Sequence, residues 1–241
     1  MRKTIIVVIA SILALIAVFP AQGCIGARQA AMGWCGVAIS DDATASYWNP
    51  AAMVWAKDGV MYDNIGGGTA IAAKYHNYGF FFVDEWDKAY CLLSHGIQLT
   101  ENSAFGFNVG WETHTAGFCR YNGPAADLSY IWTKNGLTLA MLAQNLGNIR
   151  PEIAYNTDYI TIAAGAYDLF DICQYFDDDG RSLRDFHAGI ELRPVSFLAL
   201  RGGYNDDCEY LFYGVGICSS FFSLDFMYIG GYDYFSVTCA L

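Results

Sequence analysis

The chain has 241 residues, 54% of them hydrophobic and only 15% charged, with a formal net charge of −11. So acidic a chain repels phosphate backbones and offers no basic stripe to overcome this, which excludes nucleic-acid binding. One all-β domain can account for the whole length, and the apolar excess, with no run of membrane-helix length beyond Phe19, must be spread by alternation, as in a transmembrane β-barrel.

Residues 1–23 read as a secretory signal peptide: Arg2 and Lys3, an apolar core over 5–19, then Pro20 and the small-residue exit Ala21-Gln22-Gly23. The core is shorter than the roughly 20 residues a spanning helix needs, so an uncleaved anchor is the weaker reading. Removing the leader takes Arg2 and Lys3 with it and leaves the chain two charges more negative. Cys24 follows the exit, but Ala21 and Gln22 make a poor lipoprotein motif, and plain cleavage near Cys24 is expected.

Residues 24–57 have a character of their own and read as a plug or hatch. Gly26, Ala27, Ala30, Ala31 and Gly33 allow close backbone packing, with Arg28 among them. Asp41 and Asp42 precede a short helix-compatible run, where a carboxylate can cap free N–H groups. Asn49-Pro50 sets a rigid turn, because Pro fixes its own φ and holds the residue before it extended. Tyr47, Trp48, Met53 and Trp55 flank that turn, and Trp48 and Trp55 are expected against a barrel wall. The alternative is that the segment only starts the first strand and blocks nothing.

This stretch resembles the N-terminal signature of the PorV/PorQ and FadL-like outer-membrane β-barrel proteins. The matching pieces are Gly26-Ala27-Arg28, Met32-Gly33, Asp41-Asp42-Ala43 and Trp48-Asn49-Pro50-Ala51, with Trp34 standing where the family usually has a second small residue. More loosely, Gln144-Asn145-Leu146-Gly147 and Leu200-Arg201-Gly202-Gly203-Tyr204 are similar to later family strands. The resemblance implies a bacterial outer-membrane location. It further implies either passage of hydrophobic small molecules or docking of secreted proteins in a type IX-like route. A structural or adhesive surface β-protein without transport is the alternative.

Residues 58–241 read as the barrel. Phe105, Phe107, Val109 and Trp111 alternate with Ala104, Gly106, Asn108 and Gly110. Phe186, Ala188, Ile190 and Leu192 alternate with His187, Gly189, Glu191 and Arg193. Phe222, Leu224, Phe226 and Tyr228 alternate with Ser223, Asp225 and Met227. A side-chain period of two puts each set on one face. A basic residue at the bilayer midplane costs about 2–4 kcal/mol, so His187, Glu191, Arg193, Arg201 and Asp225 should face the lumen and the aromatic sets the lipid.

Lys134-Asn135-Gly136 signals a hairpin. A three-residue loop at 194–196 would set Arg193 opposite Phe197 and Glu191 opposite Ala199, with Arg201 diagonal to Glu191. Longer breaks are expected at 148–157 and 175–183. The second carries Asp177-Asp178-Asp179-Gly180, a solvated turn rather than a calcium loop. The run ending in Phe235, Val237, Cys239 and Leu241 should be the closing strand, read by the outer-membrane assembly machinery. About twelve to fourteen strands follow, an even number favouring closure.

No catalytic constellation is present. His76, His95, His114 and His187 are scattered, and there is no Gly-x-Ser-x-Gly elbow or phosphate-cradling loop. An enzyme, a resident metal and a cofactor are not expected; membrane lipid is. None of Cys24, Cys35, Cys91, Cys119, Cys173, Cys208, Cys218 and Cys239 forms a Cys-x-x-Cys pair, so buried thiols with one or two bridges are the expectation.

Overall fold

The computed structural model describes residues 25–241 except 65–67, 86–87, 117–118, 168–184, 207–209 and 230–231. The signal peptide, Cys24, the break at 175–183 and the Asp177–Gly180 turn lie outside the described residues.

The alternating runs form strands β1 (Gly59–Asn64), β2 (Thr69–Tyr75), β3 (Tyr78–Glu85), β4 (Lys88–Thr100), β5 (Ser103–Ala116), β6 (Cys119–Lys134) and β7 (Leu137–Gln144). They continue as β8 (Asn148–Asn156), β9 (Ile160–Tyr167), β10 (Asp185–Val195), β11 (Leu198–Asn205), β12 (Tyr210–Cys218), β13 (Phe222–Ile229) and β14 (Tyr232–Ala240). Each pairs antiparallel with its sequence neighbours, and β14 pairs with β1 from Gly59↔Ala240 to Asn64↔Phe235, closing a barrel of fourteen strands. Closure leaves no unpaired edge at the seam, which is what an all-β wall needs.

The two faces separate as the alternation requires. Val109, Trp111, Ile190, Leu192, Phe226 and Tyr228 are exposed on the outside, whereas Ala104, Asn108, Glu191, Asp225 and Met227 are buried on the inside. The described turns at the end where β1 begins and β14 stops, here the seam end, are two or three residues long. One is Asn135-Gly136, where φ values of 53° and 83° at the two turn residues fit a hairpin whose twist matches its strands.

Two local expectations are corrected. Residues 148–156 are strand β8 rather than a break: Pro151 sits just before the β8–β9 ladder begins at Glu152↔Gly165, where its missing N–H costs nothing to that ladder. The turn between β10 and β11 is Ser196-Phe197, not 194–196, and Val195 pairs with Leu198. A bulge between Leu192 and Val195, where Pro194 falls, supplies the extra residue that restores the phase, so Glu191 stands directly opposite Arg201 and neither Ala199 nor Phe197 takes the expected place.

Cys35, Cys91, Cys218 and Cys239 are free thiols; the other four cysteines have no described side chain, so any bridge among them lies outside the described residues. Cys91 and Cys239 are exposed on the outer wall and Cys35 is buried.

Asp58, just ahead of β1, staples the seam end together. Its Oδ1 accepts from Lys74 Nζ at 2.6 Å and from the His76 N–H at 2.8 Å, while its carbonyl accepts the Leu241 N–H at 3.0 Å. The Lys74 ammonium holds the Asp58 carboxyl below its usual range. That stabilisation is complete above the unfolded value near ~3.9 and is lost as pH falls through the lowered folded value. Asp58→Asn is therefore expected to lower the urea midpoint at pH 7 and to flatten its decline below about pH 4, read from the folded band on unheated gels.

Candidate functional site

Residues 25–56 lie inside the barrel as helix α1 (Ala27–Ala31), helix α2 (Ala45–Trp48) and a 3-10 helix (Pro50–Val54) joined by turns. Helix α1 packs on β11 to β14, while α2 and the 3-10 helix pack on β2 to β6, so the segment crosses the lumen and touches both sides of the wall.

Small residues make that approach possible. Gly26 starts α1 at φ 79° and donates its N–H to Asp63 Oδ2 at 2.6 Å. Gly33, at φ 69°, is wedged so closely that a Cβ there would lie 2.5 Å from the Tyr204 carbonyl oxygen and 2.6 Å from that of Ala188. Trp34 follows in the left-handed region at φ 73°, uncommon for a bulky residue, and its carbonyl accepts the Tyr167 hydroxyl at 3.1 Å. Next, Glu152 of β8 receives the N–H groups of Gly36, Val37 and Ala38 at 3.0, 2.9 and 3.1 Å. A fully desolvated carboxylate is tolerable there because three donors converge on it.

The second half of the segment is fixed by its own polar side chains. Asp42 Oδ1 accepts the Thr44 N–H at 2.8 Å and the Thr44 hydroxyl at 2.6 Å, ahead of α2. Asn49 is extended (φ −162°), donates from Nδ2 to the Val37 carbonyl at 2.6 Å and accepts the Ala51 N–H at 3.1 Å, capping the 3-10 helix that Pro50 opens. Trp48 is buried and donates to the Ile25 carbonyl at 3.1 Å. Trp55, the residue that ends the 3-10 helix, is more open than Trp48, at 37% exposed.

Arg28 brings the inward-facing charges of the wall to the segment. Its Nε lies 3.0 Å from Glu191 Oε2, and its terminal nitrogen pairs with Asp41. Glu191, fully buried, also meets Arg193 at 2.6 Å and Arg201 at 2.6 Å, and Arg201 reaches Asp225 at 2.6 Å. Four of the five charges read as lumen-facing thus join one network with Arg28. His187 is apart from it: its Nε2 is 3.7 Å from Glu152 and its ring lies tilted against Tyr167, with centroids 4.7 Å apart. Beneath the network a cavity of about 240 Å³ opens at the seam end, lined by Arg28, Asp41, Lys57, Arg193, Arg201 and Asp225 among others.

On the other side of the segment, half-buried Tyr47, Tyr90 and Arg150 reach into the lumen. Glu112 and Asp127 are joined there by Asn145, whose Nδ2 donates to Glu112 Oε2 at 2.7 Å and whose N–H donates to Asp127 Oδ1 at 2.8 Å. The Arg150 guanidinium lies over the Tyr167 ring at 4.2 Å. The sequence reading missed Arg150 and Glu152 because they fall in the stretch taken as a break; the alternation of Glu152, Ile153, Ala154 and Tyr155 was the signal that could have placed them.

No family model matches the chain, and no curated protein shows significant similarity to it. Solved structures do. A crystal structure of the P. putida toluene transporter TodX aligns with a TM-score of 0.61 at 11% identity, covering 90% of this chain and 98% of that one. The CymD monoaromatic hydrocarbon channel aligns with a TM-score of 0.58 at 10% identity, covering 90% and 97%. At this identity the likeness is one of fold, and at that level the resemblance to FadL-like barrels holds: this chain has the fold of these channel barrels over nearly its whole described length.

Proposed function

We propose that the chain is an outer-membrane channel for small hydrophobic molecules, closed along its axis by residues 25–56. The observation that carries this is the segment's span across the lumen, packed on β2 to β6 at one side and on β11 to β14 at the other. Support for a membrane setting comes from the outer wall, whose exposed Leu, Ile, Phe and Tyr side chains form far more apolar surface than a soluble monomer leaves in water. TodX and CymD, barrels of this fold, are described as a toluene transporter and a monoaromatic hydrocarbon channel, which favours transport over catalysis.

The test has two arms. Cells making the protein should take up radiolabelled toluene faster than cells without it, and the purified barrel in a planar bilayer should show little steady conductance until residues 28–55 are deleted. Identical traces from the two correctly folded barrels end the plug reading, and release of the protein from membranes by urea alone ends the membrane reading. A structural surface barrel, or one that docks secreted proteins, would give no difference in uptake. Since β14 closes the wall, deleting residues 234–241 should leave the chain in the periplasm.

A further inference from the structure

Among the described cations that are buried or half-buried inside the barrel, Arg150 is the exception. Arg28, Lys74, Arg193 and Arg201 each sit in an ion pair. Among the described residues Arg150 has neither an ion pair nor a hydrogen-bond partner for its buried Nε. The guanidinium carbon instead lies over the Tyr167 ring, 4.2 Å from its centroid, while the residue stays half-buried inside the barrel. A guanidinium seated on an aromatic face is restrained there, while the N–H groups at its accessible edge can still donate.

The surroundings are aromatic and acidic. Tyr90 donates its hydroxyl to Glu112, and both Tyr47 and Arg150 lie within its electrostatic reach. Tyr47 and Arg150 stand in the same relation to Tyr167. Asp127 lies near both Arg150 and Glu112, and its hydrogen bonds come from the neutral amides of Asn108 and Asn145. Glu152 projects from the same strand face two residues from Arg150.

This arrangement selects by charge as well as by shape. An anion entering beside Arg150 would meet Glu112, Asp127 and Glu152 within a chain already at −11. An ammonium group has no lone pair for the waiting N–H and is repelled by the guanidinium. A bare hydrocarbon would strip water from the accessible part of the half-buried Arg150 guanidinium and offer its N–H groups no partner, a loss that a hydrogen-bond acceptor avoids.

Resting on the channel reading above, we propose that the lumen between residues 25–56 and the far end of the barrel binds a neutral aromatic molecule bearing a hydroxyl oxygen, which accepts from Arg150 while its ring packs among Tyr47, Tyr90 and Tyr167. Sites built to pair a ligand oxygen discriminate strongly against the analogue that lacks it, since the site's polar group is then left unpaired.

The experiment is a set of calorimetric titrations of the full-length detergent-solubilised barrel, corrected against protein-free micelles, with toluene, p-cresol, 4-methylbenzoate and 4-methylbenzylamine. The expected result is that p-cresol binds at least about tenfold more tightly than toluene, with both charged analogues weaker than p-cresol. Arg150→Met should remove the preference for p-cresol over toluene, weakening p-cresol without weakening toluene. Equal binding of p-cresol and toluene by the native protein overturns the proposal, as does tighter binding of either charged analogue. Equal weakening of p-cresol and toluene in Arg150→Met does so too. The native ranking decides the matter even where that variant fails to insert. Binding of toluene without preference for p-cresol defeats only this inference, whereas binding of none of the four defeats the channel reading with it.

Discussion

Glu191→Ala is expected to destabilise the barrel by about 3–5 kcal/mol, the range found when one partner of a buried ion pair is removed. The size follows from what remains. Arg28, Arg193 and Arg201 all converge on this carboxylate, and deleting it leaves three guanidiniums with only Asp41 and Asp225 as close partners. Replacing Arg28 by Met should act differently, because Glu191 keeps Arg193 and Arg201. The wall should hold its stability within about 1 kcal/mol while the segment loosens. Chemical denaturation followed by the shift of the folded band on unheated gels measures both variants, and equal losses from the two would show that the network does not divide this way.

Two adjacent glycines give the other large contrast. A Cβ on Gly203 would lie 2.0 Å from the Gly33 nitrogen and 2.4 Å from the Met32 carbonyl carbon, so Gly203→Val cannot coexist with the segment in place. On Gly202, facing the opposite way, the nearest atoms are 3.9 and 4.0 Å off, and Gly202→Val should change stability by no more than about 0.5 kcal/mol. For Gly203→Val the expected outcome is an inserted barrel whose residues 25–56 become sensitive to protease, with a cost of about 1–3 kcal/mol from forced displacement. A Gly203→Val protein as protease-resistant as Gly202→Val would mean that the segment does not depend on this slot.

What could be read without coordinates follows from which interactions are periodic. The wall was legible because one residue out of phase would place Glu191 or Asp225 in lipid, and that cost is written into every second residue. The exact pairing of β10 with β11 was not, since a bulge at Pro194 keeps the alternation intact on both sides while moving the partner of Glu191 from Ala199 to Arg201. Gly26, Arg28, Gly33, Asn49 and Pro50 could be singled out because glycines, a turn and a lone cation stand out in a short stretch. The partners of Gly26 and Arg28, Asp63 and Glu191, could not be assigned, nor could Glu152, which holds Gly36, Val37 and Ala38, because each lies far along the chain and nothing local distinguishes it from other inward carboxylates.

The seam between β1 and β14 joins the two ends of the wall, so its formation requires nearly the whole chain to be in position, the slowest kind of contact to make. Residues 25–56 bear on how that happens. Helix α2 and the 3-10 helix rest on β2 to β6, which follow them closely in sequence, whereas α1 rests on β11 to β14, the last strands to be made. Local contacts cost less closure entropy than distant ones. The segment can therefore settle first on the early half of the sheet, presenting α1 and Arg28 as a mandrel around which the late half curls. In that order of events the same residues that cross the finished lumen also set its girth, and loss of Arg28 or Gly33 would be felt first as slow or misregistered closure.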